Sequence, residues 1–448
     1  MSYLLNIVYL FSLVVATPWL AWRAMFQNKS RRGWRQKLLG LVSAPAKNAG
    51  VRRIWFHAVS VGEVNLLKPI VDRISARDPS IEFAISTSTE TGFDLARKRF
   101  GEHCVFFCPM DFTWSVKNVL KRIKPDVLVL TELELWPNLI TITSKQGVPV
   151  MVANARLSES SYRGYSRLRW IVGGVLKRIS LIAVQNETYE SRFIELGCKR
   201  NCVVVTGNVK FDGARTDRNT PHAESLRQIF GIEDCEHVFV AGSTQPDEDD
   251  VVLRVYQRLA QKHRELRLVL VPRHPEKLAT AVDTLNALNL NYIRRSETMA
   301  GCTPGQTGFA PDKAVIVVDV IGELTAWWSL ADVGYVGGSM GTRRGGQNMI
   351  EPAALGVPIS FGPNTRNFQA VVESLLSANA AVVVQNEDQL ADFIDSSLSD
   401  PVATGQQAER ANAVVRAQQG AADATVELLL QMIPQSADDS RKHVPTAA

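Results

Sequence analysis

A chain of 448 residues exceeds what one ordinary core can organise, so two domains are expected. Apolar residues make up 46% and charged residues 21%, which excludes a disordered or low-complexity chain. A net charge of +5 is too small at this length to mark a nucleic-acid binder.

Residues 2–22 carry no charge and are rich in Leu, Val, Ile and aromatics. As a helix rising about 1.5 Å per residue, this stretch matches a hydrocarbon core of about 30 Å. It predicts a membrane-anchoring helix over residues 1–25. A cleaved leader would carry its basic residues first. Here Arg23, Lys29, Arg31, Arg32, Arg35 and Lys37 follow the apolar run, which places the rest of the chain in the cytoplasm after a single pass.

Beyond the anchor one unit recurs: a β-branched run, a turn, then an amphipathic stretch. The first series predicts strands at 53–58, 81–86, 127–130, 148–153, 181–184 and 203–206. The second predicts them at 238–241, 266–271, 314–318, 333–336, 357–361 and 381–384. Runs this uniformly apolar are buried on both faces, which predicts parallel sheets. Residues 207–224 are polar and turn-rich, so a linker at 213–224 separates a domain at 26–212 from one at 225–433. The loop at 298–313 is long and rich in Gly, Pro and Thr, and the tail at 434–448 is expected to be disordered. The fold class is α/β, two Rossmann-like domains with ligands beyond the carboxyl ends of their strands and the site expected in the cleft between them. Six cysteines form no tight metal-ligand pattern and read as free thiols, and no metal site is expected.

The strand ends carry the candidate chemistry. In HAVSVGEV (57–64), Ser60 and Glu63 fit the capping box S-x-x-E. Gly62 is a poor helix former there and suggests close approach by something else. A carboxylate at the mouth of a cleft can also serve as a general base. The helix dipole opposes that role by stabilising the anion, and burial favours it by raising the pKa. TELELWPNL (131–139) ends another strand with Glu132 and Glu134; NARLS (154–158) adds Arg156; TGNVKFD (206–212) adds Asn208 and Lys210. In AGSTQPDEDD (241–250), Ser243 precedes a helix whose first-turn acids match its dipole. LVPRHPEK (270–277) puts Arg273 and His274 at a strand end, where a guanidinium suits a phosphate. In VGGSMGTRRGGQNMIEP (336–352), Gly337, Gly338 and Ser339 form a close-approach turn. Gly345 and Gly346 lead into a helix expected near Gln347 and Asn348, whose free amides would attract a phosphate beside Arg343 and Arg344. Glu351, about one turn in, could accept from ribose hydroxyls.

Taken in order, HAVSVGEV, TELELWPNLI, NARLS, TGNVKFD, AGST, PRHPE and VGGS…GGQNMIEPAALGVPISFGP followed by Asn367-Phe368 resemble the 3-deoxy-D-manno-octulosonic acid (Kdo) transferases. These motifs span the chain after the anchor. The resemblance implies a GT-B glycosyltransferase that moves Kdo from CMP-Kdo to a phosphorylated lipid A precursor in lipopolysaccharide biosynthesis. It implies an inverting reaction at the cytoplasmic face of the inner membrane, with no metal and no cofactor. It puts the general base on Glu63 and nucleotide binding on Arg273, Gly338, Ser339, Asn348 and Glu351. Two positions depart: the family often has histidine where this chain has Gln347, and again near Gln245. Another GT-B nucleotide-sugar enzyme, transferase or epimerase, and a membrane-tethered nucleotide binder without catalysis remain alternatives at this point.

Overall fold

Every strand expected from the apolar runs forms, and two more join them. The computed structural model describes residues 5–12, 14, 15, 32–48, 50–299, 314–341 and 344–433. Most of the predicted anchor, Arg343, Cys302, the greater part of the 298–313 loop and the 434–448 tail lie outside the described residues. Among the described residues no helix is long and apolar enough to cross a membrane.

Two compact units divide the chain: Met1–Gly213 with Gln419–Ala448, and Ala214–Gln418. The first holds strands β1 (Arg53–His57), β2 (Glu82–Thr87), β3 (Cys104–Phe107), β4 (Val127–Thr131), β5 (Val150–Ala155), β6 (Leu181–Val184) and β7 (Val203–Val205). They pair in parallel in the order β3-β2-β1-β4-β5-β6-β7. β1, β4 and β5 are buried along their whole length, as continuous apolar runs demand. Helices α1 (Val61–Arg77) and α2 (Glu90–Arg99) pack with one core layer. Helices α3 (Thr113–Ile123), α4 (Pro137–Lys145), α5 (Glu159–Arg167) and α6 (Arg169–Leu176) lie with the other. Residues 5–12 are helical: Asn6 is buried and bonds Thr113 and Asn138, and the Tyr9 hydroxyl donates to Asp111.

The second unit repeats the plan with β8 (His237–Thr244), β9 (Leu266–Pro272), β10 (Tyr292–Arg294), β11 (Val315–Val317), β12 (Val333–Val336), β13 (Ile359–Phe361) and β14 (Ala381–Val383). Their parallel order is β10-β11-β9-β8-β12-β13-β14. Helix α7 (Pro246–Ala260) follows β8, and the short α8 (Ile350–Ala354) precedes β13.

Both strands missing from the sequence reading, β3 and β10, are edge strands of three or four residues. An edge strand has one ladder partner and half the burial, so its apolar signature is weak. The domain boundaries need two corrections. A helix starts inside the expected linker, at Pro221, capped by the Thr220 hydroxyl. The last helix, Ala421–Met432, belongs to the first unit rather than the second. Its Ala421, Ala422, Val426 and Leu429 join the core layer of α1, and Asp423 pairs with Arg73 and Arg77.

Each sheet reverses its winding direction once: between β1 and β4, and between β8 and β12. Ligands in open α/β sheets sit at the carboxyl ends of the strands beside such a reversal.

Candidate functional site

In the first unit that position belongs to Glu63. The chain leaves β1 at His57, turns through Ala58–Ser60, and enters α1 with Glu63 in its first turn. The side chain is only 8% exposed. The Val59 amide donates to its Oε2 at 2.9 Å, and the Ser60 hydroxyl donates to Oε1 at 3.1 Å. The Thr131 hydroxyl, at the end of β4, lies 2.5 Å from Oε2 and 3.0 Å from the His57 carbonyl. The capping box of the sequence reading is therefore altered. Ser60 is the N-cap but caps no amide with its side chain; its hydroxyl serves the carboxylate instead. Glu63 reaches back one residue further, to Val59, and across to the neighbouring strand. Burial raises its pKa above the ordinary carboxylate value, against the lowering effect of the Thr131 and Val59 hydrogen bonds.

Around it the strand ends supply polar groups held in costly conformations. Glu132 has φ 51° and Asn154 φ 54°, a left-handed region that only over-determined non-glycine residues occupy. Lys210 pairs with Glu132 at 2.8 Å. Asn154 accepts from the Val209 amide at 3.0 Å, and its buried Nδ2 has no partner among the described residues. His57 is fully buried, its pKa lowered to about 4 by desolvation, and its Nε2 also has no partner among the described residues. Arg156 is half-buried, with no carboxylate partner among the described residues. Asn208 caps the short turn Val209–Phe211 through the Lys210 amide at 3.1 Å.

Glu134 is the residue whose importance the sequence hid. Burial pushes its pKa from 4.5 to about 7, helped by the facing charge of Glu63, while the Trp136 indole donates to it at 2.8 Å. E-L-E reads as an ordinary acidic turn; only the fold brings Glu134 into the field of Glu63.

The second unit places a different device at its reversal. Glu248, in the first turn of α7, is 2% exposed. It accepts from the amides of Gln245 (2.9 Å), Gly338 (2.6 Å), Ser339 (2.9 Å) and Met340 (2.9 Å), and from the Tyr335 hydroxyl at 2.8 Å. The amides of the glycine turn do not stand open for a phosphate, because a buried carboxylate already takes them. Ser339 is fully buried; its hydroxyl donates to the Val336 carbonyl at 2.7 Å and accepts from the Gly362 amide at 2.8 Å. The glycines are needed for close approach to protein. A Cβ on Gly337 would lie 2.5 Å from Thr244 Cα, and one on Gly338 would lie 3.0 Å from the Gln347 side chain.

The helix expected at Gln347 begins at Ile350 and has five residues. Asn348 accepts from the Ile350 amide at 3.1 Å and donates to Glu351 at 2.8 Å; Thr325 donates to the other Glu351 oxygen at 3.0 Å. Gly346 donates to the Gly338 carbonyl at 2.8 Å with φ 79°, tying the two glycine pairs together. Gln347, Asn348 and Glu351 are half-buried and so reach the surface of this unit. Ser243 holds φ 57° at the end of β8, near Gln245, whose buried Nε2 has no partner among the described residues. The Arg273 amide bonds the Thr244 carbonyl at 2.9 Å, which fixes its backbone beside β8, while its side chain is exposed. His274 lies 3.0 Å from Glu276.

A family model described as 3-Deoxy-D-manno-octulosonic-acid transferase (kdotransferase) matches residues 29–213. A 3-deoxy-D-manno-octulosonic acid transferase of Haemophilus influenzae is 31% identical over 74% of this chain and 76% of its own length. One of Bordetella pertussis is 31% identical over 92% of this chain and 95% of its own. The solved UDP-GlcNAc 2-epimerase of Neisseria meningitidis is 14% identical, with a TM-score of 0.57 over 85% of this chain and all of that one, which is a likeness of fold alone. Two doubly wound units, a buried carboxylate at the first winding reversal and relatives matched over 76% and 95% of their own length lead to one conclusion: the chain belongs to the 3-deoxy-D-manno-octulosonic acid transferase family and is a glycosyltransferase of lipopolysaccharide biosynthesis.

Proposed function

We propose that this enzyme transfers Kdo from CMP-Kdo to a phosphorylated lipid A precursor, with Glu63 as general base and inversion at the anomeric carbon. The observation that carries the reading is Glu63 itself: a buried carboxylate at the β1–β4 reversal, fixed by three donors and raised in pKa by desolvation. As the acceptor hydroxyl oxygen bonds to the anomeric carbon, its proton passes to Glu63. The bond to the CMP phosphate breaks with its electron pair, so negative charge develops on the departing phosphate. Arg273, exposed and free of a carboxylate partner among the described residues, is the group in the second unit best suited to meet that charge. Gln347, Asn348 and Glu351 then present amide and carboxylate groups to the nucleoside. Neither a metal nor a cofactor has a part in this scheme. The N-terminal apolar segment holds the enzyme at the cytoplasmic face of the inner membrane, where the lipid acceptor resides.

Glu63→Gln tests the assignment. The amide keeps the shape but cannot take the proton, so turnover falls by about 10²–10⁴-fold, the usual contribution of a positioned base. Mass spectrometry of the product from CMP-Kdo and a defined acceptor reads it directly. Near wild-type transfer by the variant removes Glu63 from the role; thermal protection by UDP and not by CMP removes the donor.

A further inference from the structure

Helices α5 and α6 form a surface that the transfer chemistry does not use. α5 contains no buried residue. Between residues 159 and 178 the chain carries Arg163, Arg167, Arg169, Lys177 and Arg178 against a single carboxylate, Glu159. Glu159 is already paired with Arg163 and Arg192. The other four cations have no carboxylate partner among the described residues. At the junction of the two helices Trp170 is 77% exposed and Leu168 50% exposed. A tryptophan left this open beside unpaired arginines loses apolar burial with no return inside the unit.

We infer that the α5–α6 junction is a second membrane contact, in which Leu168 and Trp170 enter the interfacial layer of an anionic bilayer and Arg167 and Arg169 meet lipid phosphates. Three observations select this occupant. The charge is complementary to anionic headgroups, which attract surface cations. Tryptophan is the side chain that prefers the membrane–water boundary. The third is position. The helix of residues 5–12, with Ile7, Phe11, Val14 and Val15 exposed around it, docks through Asn6 onto Thr113 at the start of α3. α3 and α6 contribute to the same core layer, so both apolar surfaces belong to one face of the sheet. α5 starts directly beyond β5 and Arg156, so bilayer contact there brings a lipid headgroup toward the carboxyl ends of the strands. The inference rests on the lipid-acceptor reading for its purpose, but not for its test.

The full-length enzyme is reconstituted in phosphatidylethanolamine–phosphatidylglycerol vesicles with brominated acyl chains, which quench nearby indoles. The emission lost in Trp170→Phe reports Trp170. In the wild type it is quenched; in Arg167→Glu/Arg169→Glu the quenching disappears. The control Arg97→Glu/Lys98→Glu, exposed on α2 against the opposite core layer, keeps it. The Arg167/Arg169 variant also shows a KM for vesicle-embedded acceptor raised roughly tenfold or more, with turnover of a soluble deacylated acceptor unchanged. Trp170 unquenched in the wild type, equal loss in the control, or self-association abolished by Trp170→Ser each overturns the inference, the last in favour of a second copy of this chain. Patch-dependent quenching without any Kdo transfer would instead sink the proposed reaction and leave the surface standing.

Discussion

At the scale of single residues, the strand ends of the first unit carry carboxyls held above their ordinary pKa. Glu63 is raised by burial, and Glu134 is driven from 4.5 to about 7 by burial and by the charge of Glu63. With Glu63 as the proposed base, which must be ionised to act, the rate falls as pH drops through its raised value. Glu132→Gln removes a like charge that raises Glu63 and moves this acid limb to lower pH in a pH–kcat/KM profile; an unmoved limb would show that the two groups do not interact. Stability follows the same shifts with a definite sign. A carboxyl whose folded pKa exceeds its unfolded one binds more protons when folded, so its contribution favours the fold at low pH and fades as pH rises from about 4.5 to about 7. Glu134→Gln is therefore more stable than wild type above pH 7, by a margin that vanishes near pH 4.5, as urea unfolding at the two pH values will read. Ser60 and Glu63 were legible in the sequence because their spacing is a local pattern. Thr131 was not, because a threonine closing an apolar strand looks like β-propensity until the adjacent strand is known.

At the scale of elements, Glu248 ties α7 to the glycine turn after β12. One side chain satisfies the consecutive amides of Gly338, Ser339 and Met340 that the turn leaves without backbone partners. Buried amides stripped of an acceptor cost about 1–3 kcal/mol each. Glu248→Ala should therefore lower stability by about 3–5 kcal/mol after partial relaxation, measured by denaturant unfolding. A loss below 1 kcal/mol would mean that water replaces the carboxylate. Gly337→Ala belongs with it: the added methyl meets the β8 backbone at 2.5 Å, so the strand ends must separate. The sequence showed acids suited to a helix dipole and glycines suited to close approach, and both statements are true. It could not show that each was the other's partner, because some ninety residues separate them. Periodicity likewise found the central strands and passed over β3 and β10, where one neighbour and a short run leave little pattern to read.

At the scale of the whole molecule, the chain crosses between units twice, near Gly213 and again near Gln418. The sequence reading put residues 421–432 in the second domain because chain order alone does not say which core a segment faces. Here it closes the first unit. Val426 and Leu429 are fully buried beside the residues of α1, Asp423 pairs with Arg73 and Arg77, and Asp212 accepts from the Gly420 amide at 2.7 Å and the Ala422 amide at 3.0 Å. A chain ending at Gln418 would keep every strand of both sheets and still expose one side of the first unit. Burying one side chain such as Leu429 contributes about 1.5–3 kcal/mol, and several are lost together. Hydrogen exchange on that truncated chain should show the amides of α1 and β1 losing protection while those of β8 and β9 keep theirs. Equal protection in both units would mean that the helix is an ornament of the first core. Loss in both would mean that the two units fold as one cooperative body. Selective loss would establish that residues 421–432 complete the unit that carries Glu63.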